Sequence, residues 1–202
     1  MKPLELFKPL KPFKHLKPSP MTLAVEYLQT AIRRFKQHKD LGDRTFAQLS
    51  DADFHYRPTK ESNSIAVIIR HVSGNMLSRW TNFLTEDGEK EWRDRDGEFA
   101  GVISYSKQEL IDLWEKGWTC LLDTLSSLTG EDLLKTVYIR REPLTVIDAI
   151  NRQLAHYPSH VGQIVYIGRM IRGEEWQSLS IPVGGSEEYN QSDGIKDPSK
   201  KF

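Results

Sequence analysis

The stretch Leu154–Ile164, LAHYPSHVGQI, lies within the longest apolar-periodic segment of the chain. Apolar residues recur every three or four positions from about Thr145 to Gly173, which predicts a helix of about 27 residues and roughly 40 Å. A helix of that length spans a whole helical bundle. Pro158 lies inside it, and a proline within a helix removes a backbone hydrogen bond at a cost of roughly 3 kcal/mol. We therefore expect a kink there, or a boundary where the helix restarts.

Helical spacing recurs in three upstream segments, at about 21–38, 64–84 and 106–128. The first ends where the sequence becomes charged and includes Gly42. Ser62 or Asn63 can cap the second, and Ser106 with Glu109 has the spacing of a capping box at the start of the third. Four long amphipathic segments without a strong strand pattern predict an all-α protein with the architecture of a four-helix bundle.

The connecting segments are longer than in the simplest up-and-down bundle. TEDGEKEWRDRDGEFAG, residues 85–101, is polar and broken by glycines, which predicts a mobile surface loop. KTVYIRREPLT, residues 135–145, alternates weakly and predicts a short hairpin or an extended arm before the last helix. WQSLSIP, residues 176–182, is the apolar part of the final segment, and we expect it to fold back onto the bundle as a strap.

Length and composition favour one globular domain. The chain has 202 residues, of which 38% are hydrophobic and 28% charged. Residues 7–18 repeat an apolar residue, a lysine and then a proline or histidine, so we interpret residues 1–20 as a flexible basic extension. The predicted bundle occupies residues 21–190, and residues 191–202 form a polar tail.

Charge and cysteine content exclude several classes of partner. Basic and acidic residues number 28 each, and Arg140–Arg141 is too short for a basic patch, so we expect no nucleic-acid partner. No apolar run approaches the roughly 20 residues that span a bilayer, so we expect no membrane partner. A single cysteine, Cys120, and the lack of an N-terminal apolar segment predict a soluble, cytoplasmic protein.

Three histidines form a candidate metal site. His156 and His160 are four residues apart, so a helix projects both from one face, about 6 Å apart along its axis. His71 lies at the edge of the apolar stripe of the second helix. Three imidazoles suit zinc, nickel, iron or cobalt and leave a coordination position open, as catalytic sites do. The alternative is that each histidine is a hydrogen-bonded core or boundary residue.

Polar neighbours of these histidines are the candidate catalytic residues. Tyr157 and Gln163 lie in the same segment as the histidine pair, and Asn75 follows His71 by one helical turn. No strong general base is evident, because the acidic residues lie mainly in predicted loops. Gly162 lets a second backbone or a ligand approach the helix closely, although it is equally compatible with simple packing.

Two segments carry a resemblance to a known superfamily. NSIAVIIRHVSGNM, and about 85 residues later HYPSHVGQIVYIGRMI, resemble the DinB-like superfamily of metal-binding four-helix bundles over about residues 21–190, and WQSLSIPVGGS resembles the tail of an uncharacterised bacterial branch. The resemblance implies that His71, His156 and His160 bind a divalent metal and that the protein is a homodimer. Pro158, within the histidine pair, departs from the pattern.

Characterised relatives in that superfamily include transferases and isomerases that use low-molecular-weight thiols such as bacillithiol or mycothiol. The resemblance therefore implies a metal-dependent thiol transferase acting on a small-molecule substrate, in which Cys120 is not the nucleophile. A hydrolase that activates water at the same site is a second enzymatic interpretation. Two non-enzymatic interpretations stay open beside these, namely a bundle that binds metal or a small ligand without turnover and a purely structural bundle that dimerises.

Overall fold

Four long helices are the main elements of this computed structural model, which describes residues 20–100 and 104–202. They are α1 (Pro20–Phe46), α2 (Ile65–Trp80), α3 (Lys107–Ser127) and α4 (Val146–Arg172). Two strands, β1 (Thr136–Ile139) and β2 (Glu142–Thr145), precede α4, and a short helix, α5 (Ser186–Gln191), follows it. The protein is therefore predominantly helical, as predicted. The predicted basic extension lies, up to residue 19, outside the described residues.

Side-chain packing joins the four helices around one core. α2 packs along α3 and α1 along α4, with further contacts between α1 and α3 and between α2 and α4. Aromatic rings fill the centre, where Trp118 meets Trp114, Phe35 and Tyr157 edge to face. Such rings bury about 150–250 Å² each, so they contribute a large share of the hydrophobic stabilisation. Within the described ranges, no helix is both long and apolar enough to cross a membrane.

α1 is longer than predicted, because its charged end packs against α3. The predicted end near residue 38 is wrong, since the helix continues through Gly42 to Phe46. A Cβ at Gly42 would lie 2.5 Å from Cζ2 of Trp114, so the glycine makes room for the indole. Trp114 Nε1 also donates to Asp43 Oδ1 at 2.8 Å. These contacts outweigh the cost of about 1 kcal/mol for a glycine inside a helix.

The ends of α2 also differ from the prediction. Ser64, rather than Ser62 or Asn63, caps the helix, and its hydroxyl accepts from Val67 N at 3.3 Å. The helix stops at Trp80 instead of residue 84, because Thr81 is extended and Asn82 takes a left-handed φ of 51°. At α3, by contrast, the predicted capping box is confirmed. The Ser106 side chain accepts from the backbone N–H of Glu109, and the Glu109 side chain accepts from the backbone N–H of Ser106.

The predicted hairpin is confirmed as the antiparallel pair β1–β2. Its two-residue turn consists of Arg140 and Arg141, both at positive φ (56° and 66°), as primed hairpin turns require. Neither residue favours this conformation by itself. Asp87 stabilises it, because its carboxylate accepts from both backbone N–H groups, at 2.8 and 2.7 Å.

α4 runs without a break through Pro158, so the helix does not restart there. Gly162 faces open space: apart from its own helix, no atom of the described residues lies within 4 Å of a Cβ built on it, so none of these residues makes the close approach that the sequence suggested. Beyond α4 the chain returns to α1, as predicted for the strap. Gln177 N donates to Gln48 Oε1 at 2.8 Å, and Arg44 donates to the carbonyl of Leu179 at 2.9 Å.

Candidate metal centre

The structure brings the three predicted histidines together between α2 and α4. One ring nitrogen from each of His71, His156 and His160 lies within 4.8 Å of the others. His71 is buried, and the other two are half-buried, so the cluster lies at the edge of the core. The ring pairs meet edge to face, with centroids 4.8–5.6 Å apart. The helical spacing of the pair and the position of His71 on α2 were thus sufficient to predict this arrangement.

Hydrogen bonds orient each imidazole through its Nδ1 atom. In every case the partner is a side-chain oxygen, and the pairs are His71 with Glu98 Oε2 at 2.8 Å, His156 with Gln153 Oε1 at 3.1 Å and His160 with Gln163 Oε1 at 3.3 Å. Amide and ionised carboxylate oxygens only accept hydrogen bonds, so each Nδ1 carries the hydrogen. In its neutral form each ring would then have its free lone pair on Nε2.

The donor set fits a divalent metal ion. The Nε2 atoms of His156 and His160 are 3.1 Å apart, and with both hydrogens on Nδ1 two lone pairs face each other. That contact is repulsive unless a cation lies between the rings. At metal–nitrogen distances of about 2.0–2.1 Å, a tetrahedral centre places its ligand nitrogens about 3.3 Å apart, close to this separation. Three protein ligands leave at least one position for another molecule.

The electrostatics of the cluster favour neutral imidazoles. Burial, followed by the charges of His160 and His71, lowers the pKa of His156 to about 4. Burial and the neighbouring His71 also lower the pKa of His160, against a smaller opposing effect of the Gln163 hydrogen bond. At neutral pH both rings are therefore uncharged, which is the form that binds metals.

Glu98 is the residue of this site that the sequence did not predict. It lies in the segment 85–101, for which the sequence predicts a mobile surface loop, yet it is buried and accepts a hydrogen bond from His71. Arg93, from the same segment, donates to both oxygens of Glu98, at 2.8 and 2.9 Å. Burial raises the pKa of Glu98, but the hydrogen bonds from His71 and Arg93 lower it by a larger amount. The pKa is therefore lowered overall, which favours the ionised carboxylate. A loop without apolar periodicity gives no sequence signal for such a contact.

The predicted catalytic residues occupy different surroundings. Tyr157 is fully buried, where it accepts from Trp80 Nε1 at 3.1 Å and donates to Asn75 Oδ1 at 3.0 Å. Burial raises the pKa of its hydroxyl. Gln163 is exposed and contacts His160. Tyr157 and Asn75 thus belong to a hydrogen-bond network of the core, and Gln163 lies beside a candidate metal ligand. The catalytic role of all three residues stays a prediction.

Cys120 lies half-buried on α3, and burial raises the pKa of its thiol. A thiol with a raised pKa is a weak nucleophile at neutral pH. This agrees with the expectation that Cys120 is not the nucleophile.

The sequence matches a protein family. The family model described as "Protein of unknown function (DUF1572)" matches residues 22–185. That span contains the three histidines as well as Glu98 and Arg93. No curated protein matches the sequence significantly.

Proposed function

Because the chain belongs to the DUF1572 family, whose description names no activity, we propose its function from the histidine centre. The protein is a divalent-metal-dependent enzyme with a DinB-like four-helix bundle, and His71, His156 and His160 are the metal ligands. Zinc, nickel and iron are the candidate ions. The observation that carries the proposal is that ring nitrogens of all three histidines lie within 4.8 Å of one another, with Nε2 of His156 and Nε2 of His160 3.1 Å apart.

The reaction we propose is the transfer of a low-molecular-weight thiol to a small electrophile. A divalent ion in an open three-histidine site lowers the pKa of a thiol or a water molecule that binds to it. The thiol sulfur then forms a bond to the electrophilic carbon, the leaving group departs with its electron pair, and the thiol proton passes to solvent. His156 and His160 are half-buried, which supports access for small molecules from outside.

The alternative is a bundle that binds metal without turnover. The hydroxyl of Tyr157 donates its hydrogen to the amide oxygen of Asn75 and accepts a hydrogen bond from Trp80 Nε1. Polar groups committed in this way are poor acid–base catalysts, and this favours the alternative. A homodimer, a small-molecule partner and a cytoplasmic location stay proposals with either function.

Metal content tests the site. We expect the purified full chain, without a histidine tag, to contain about one divalent ion per chain by elemental analysis. His71→Ala and His160→Ala should lose it, whereas His38→Ala, which changes a half-buried histidine on α1 outside the cluster, should retain it. Failure of the wild type to bind zinc, nickel or iron after reconstitution would contradict the proposal.

Turnover separates the enzyme from the binding protein. The metal-loaded protein is mixed with a thiol such as cysteine and the electrophile monobromobimane, and the fluorescent conjugate is followed. An enzyme accelerates conjugate formation above the uncatalysed rate, and His160→Ala abolishes the increase. A metal-loaded wild type that gives only the uncatalysed rate with a panel of thiols and electrophiles supports the non-catalytic alternative.

A further inference from the structure

A buried charged pair lies directly behind one of the three histidines. The side chains of Arg93 and Glu98 are 2% and 10% exposed, and two parallel hydrogen bonds join them. Glu98 also accepts from Nδ1 of His71, so one carboxylate connects a guanidinium to an imidazole. In the described part of the chain, Arg93 has no side-chain hydrogen bond to any other acceptor, and its Nη1 is buried without a partner. Arg93 is thus dedicated to this carboxylate.

The neighbouring backbone is shaped to accept Glu98. A Cβ at Gly74 would overlap Oε1 of Glu98, so a glycine one turn after His71 leaves the space that the carboxylate occupies. Arg70, on the same helix, donates to the carbonyl of Gly97 at 2.7 Å and fixes the loop next to Glu98. Arg70, Gly74 and His71 of α2 therefore all serve the contact with Glu98.

Burying this pair is costly, because both charged groups lose their hydration. A hydrophobic contact between the loop and α2 would cover the helix equally well, so packing alone does not explain the ion pair. What an ionised carboxylate adds is a fixed acceptor for one imidazole hydrogen. In metal sites, such a partner sets the tautomer of the ligand, orients its ring and raises its basicity.

We infer that Glu98 is a positioning residue, which holds His71 with its hydrogen on Nδ1 and its Nε2 lone pair toward His156 and His160, and that Arg93 keeps the carboxylate in place. This inference rests on the proposed metal site. Loss of the equivalent partner in metal proteins typically weakens metal binding 10- to 100-fold. We expect a change in that range here.

Cobalt(II) is the probe of this role, because its visible spectrum reports coordination geometry. The dissociation constant is measured on the full-length apo-protein by competition with a chelator, and the spectrum is recorded at saturation. Glu98→Gln, which keeps the shape of the side chain without its charge, should weaken binding 10- to 100-fold and alter the spectrum. Gly74→Ala should also weaken cobalt binding and alter the spectrum, although it replaces neither Glu98 nor any of the three histidines.

The matched control is Glu89→Gln. Glu89 is a carboxylate of the same loop that pairs with Arg79 and Arg140 and contacts none of the three histidines. This variant should bind cobalt as the wild type does. Wild-type affinity and an unchanged spectrum in both Glu98→Gln and Gly74→Ala would overturn the inference. Circular dichroism establishes that each variant is folded before its affinity is interpreted.

A metal-free readout distinguishes failure of this inference from failure of the proposed function. Long-range proton–nitrogen NMR of the apo-protein reports which ring nitrogen of His71 carries hydrogen. We expect the Nδ1–H tautomer in the wild type and a mixture in Glu98→Ala. If the wild type binds no cobalt but shows this difference, the proposed function fails and the positioning role stands. A mixture already present in the wild type overturns the positioning role.

Discussion

Replacing Tyr157 with phenylalanine removes one oxygen atom from the centre of the protein. The phenylalanine ring keeps the packing of the tyrosine ring against Phe35 and Trp118, whose centroids both lie 6.1 Å away. The loss is therefore confined to hydrogen bonds. Trp80 Nε1 loses its acceptor and Asn75 Oδ1 loses its donor, and both residues are buried.

The magnitude follows from these two orphaned groups. A buried polar group left without a partner costs about 1–3 kcal/mol, so with two such groups Tyr157→Phe should lower the free energy of unfolding by about 2–6 kcal/mol. For a protein of this size, 1 kcal/mol corresponds to about 2–4 °C in Tm. We expect a decrease in Tm of roughly 4–24 °C.

Urea and thermal unfolding, followed by circular dichroism, measure the effect. Tyr166→Phe is the matched control, because Tyr166 lies on the same helix but is 70% exposed, and it should change the stability by no more than about 0.5 kcal/mol. A Tyr157→Phe variant as stable as this control would refute the reasoning. If that variant were stable and bound metal but had lost turnover, Tyr157 would have the catalytic role that the sequence suggested.

Substitutions at other positions test the packing and the loop. Gly117→Ala places a Cβ 2.9 Å from the backbone of Ser73, so it should lower the stability by about 1–3 kcal/mol, whereas Gly162→Ala meets no neighbour and should raise it by about 0.5–1 kcal/mol. Urea unfolding of both variants checks this, and the reverse order would contradict the close contact of α2 with α3. Asp87→Ala removes the acceptor for the Arg140–Arg141 turn, so hydrogen exchange at these two amides should accelerate at least about tenfold. Unchanged exchange would show that the turn is stable without the carboxylate.

The sequence predicts best those features that depend on local periodicity. Residues three or four positions apart are enough to predict the long helices and the capping box at Ser106. The same spacing predicts that His156 and His160 lie side by side. The end of α1 does not follow from local periodicity. Gly42 lies inside the helix because it packs against Trp114, which is about 70 residues away in the chain. Helix propensity alone predicts that the helix ends at such a glycine.

Glu98 was missed for the same reason. Its loop is polar, lacks periodicity and is typical of a solvent-exposed segment, whereas in the fold it lies against α2 with a buried carboxylate. Only the combination of Gly74, Arg93 and His71 explains that burial, and these residues are separated in sequence. The three histidines were predictable because two of them share one helical face.

The loop that carries Glu98 is fixed at both ends. Asp87 holds the hairpin turn at one end, and Glu98 holds His71 at the other. The number of residues between them is consequently constrained, unlike in most surface loops, which tolerate insertions. One inserted residue adds up to about 3.5 Å of chain, more than the length of the hydrogen bond to His71. The spacing of eleven positions between these two carboxylates is thus a sequence signature of an intact site, and natural variation in loop length is expected outside this interval.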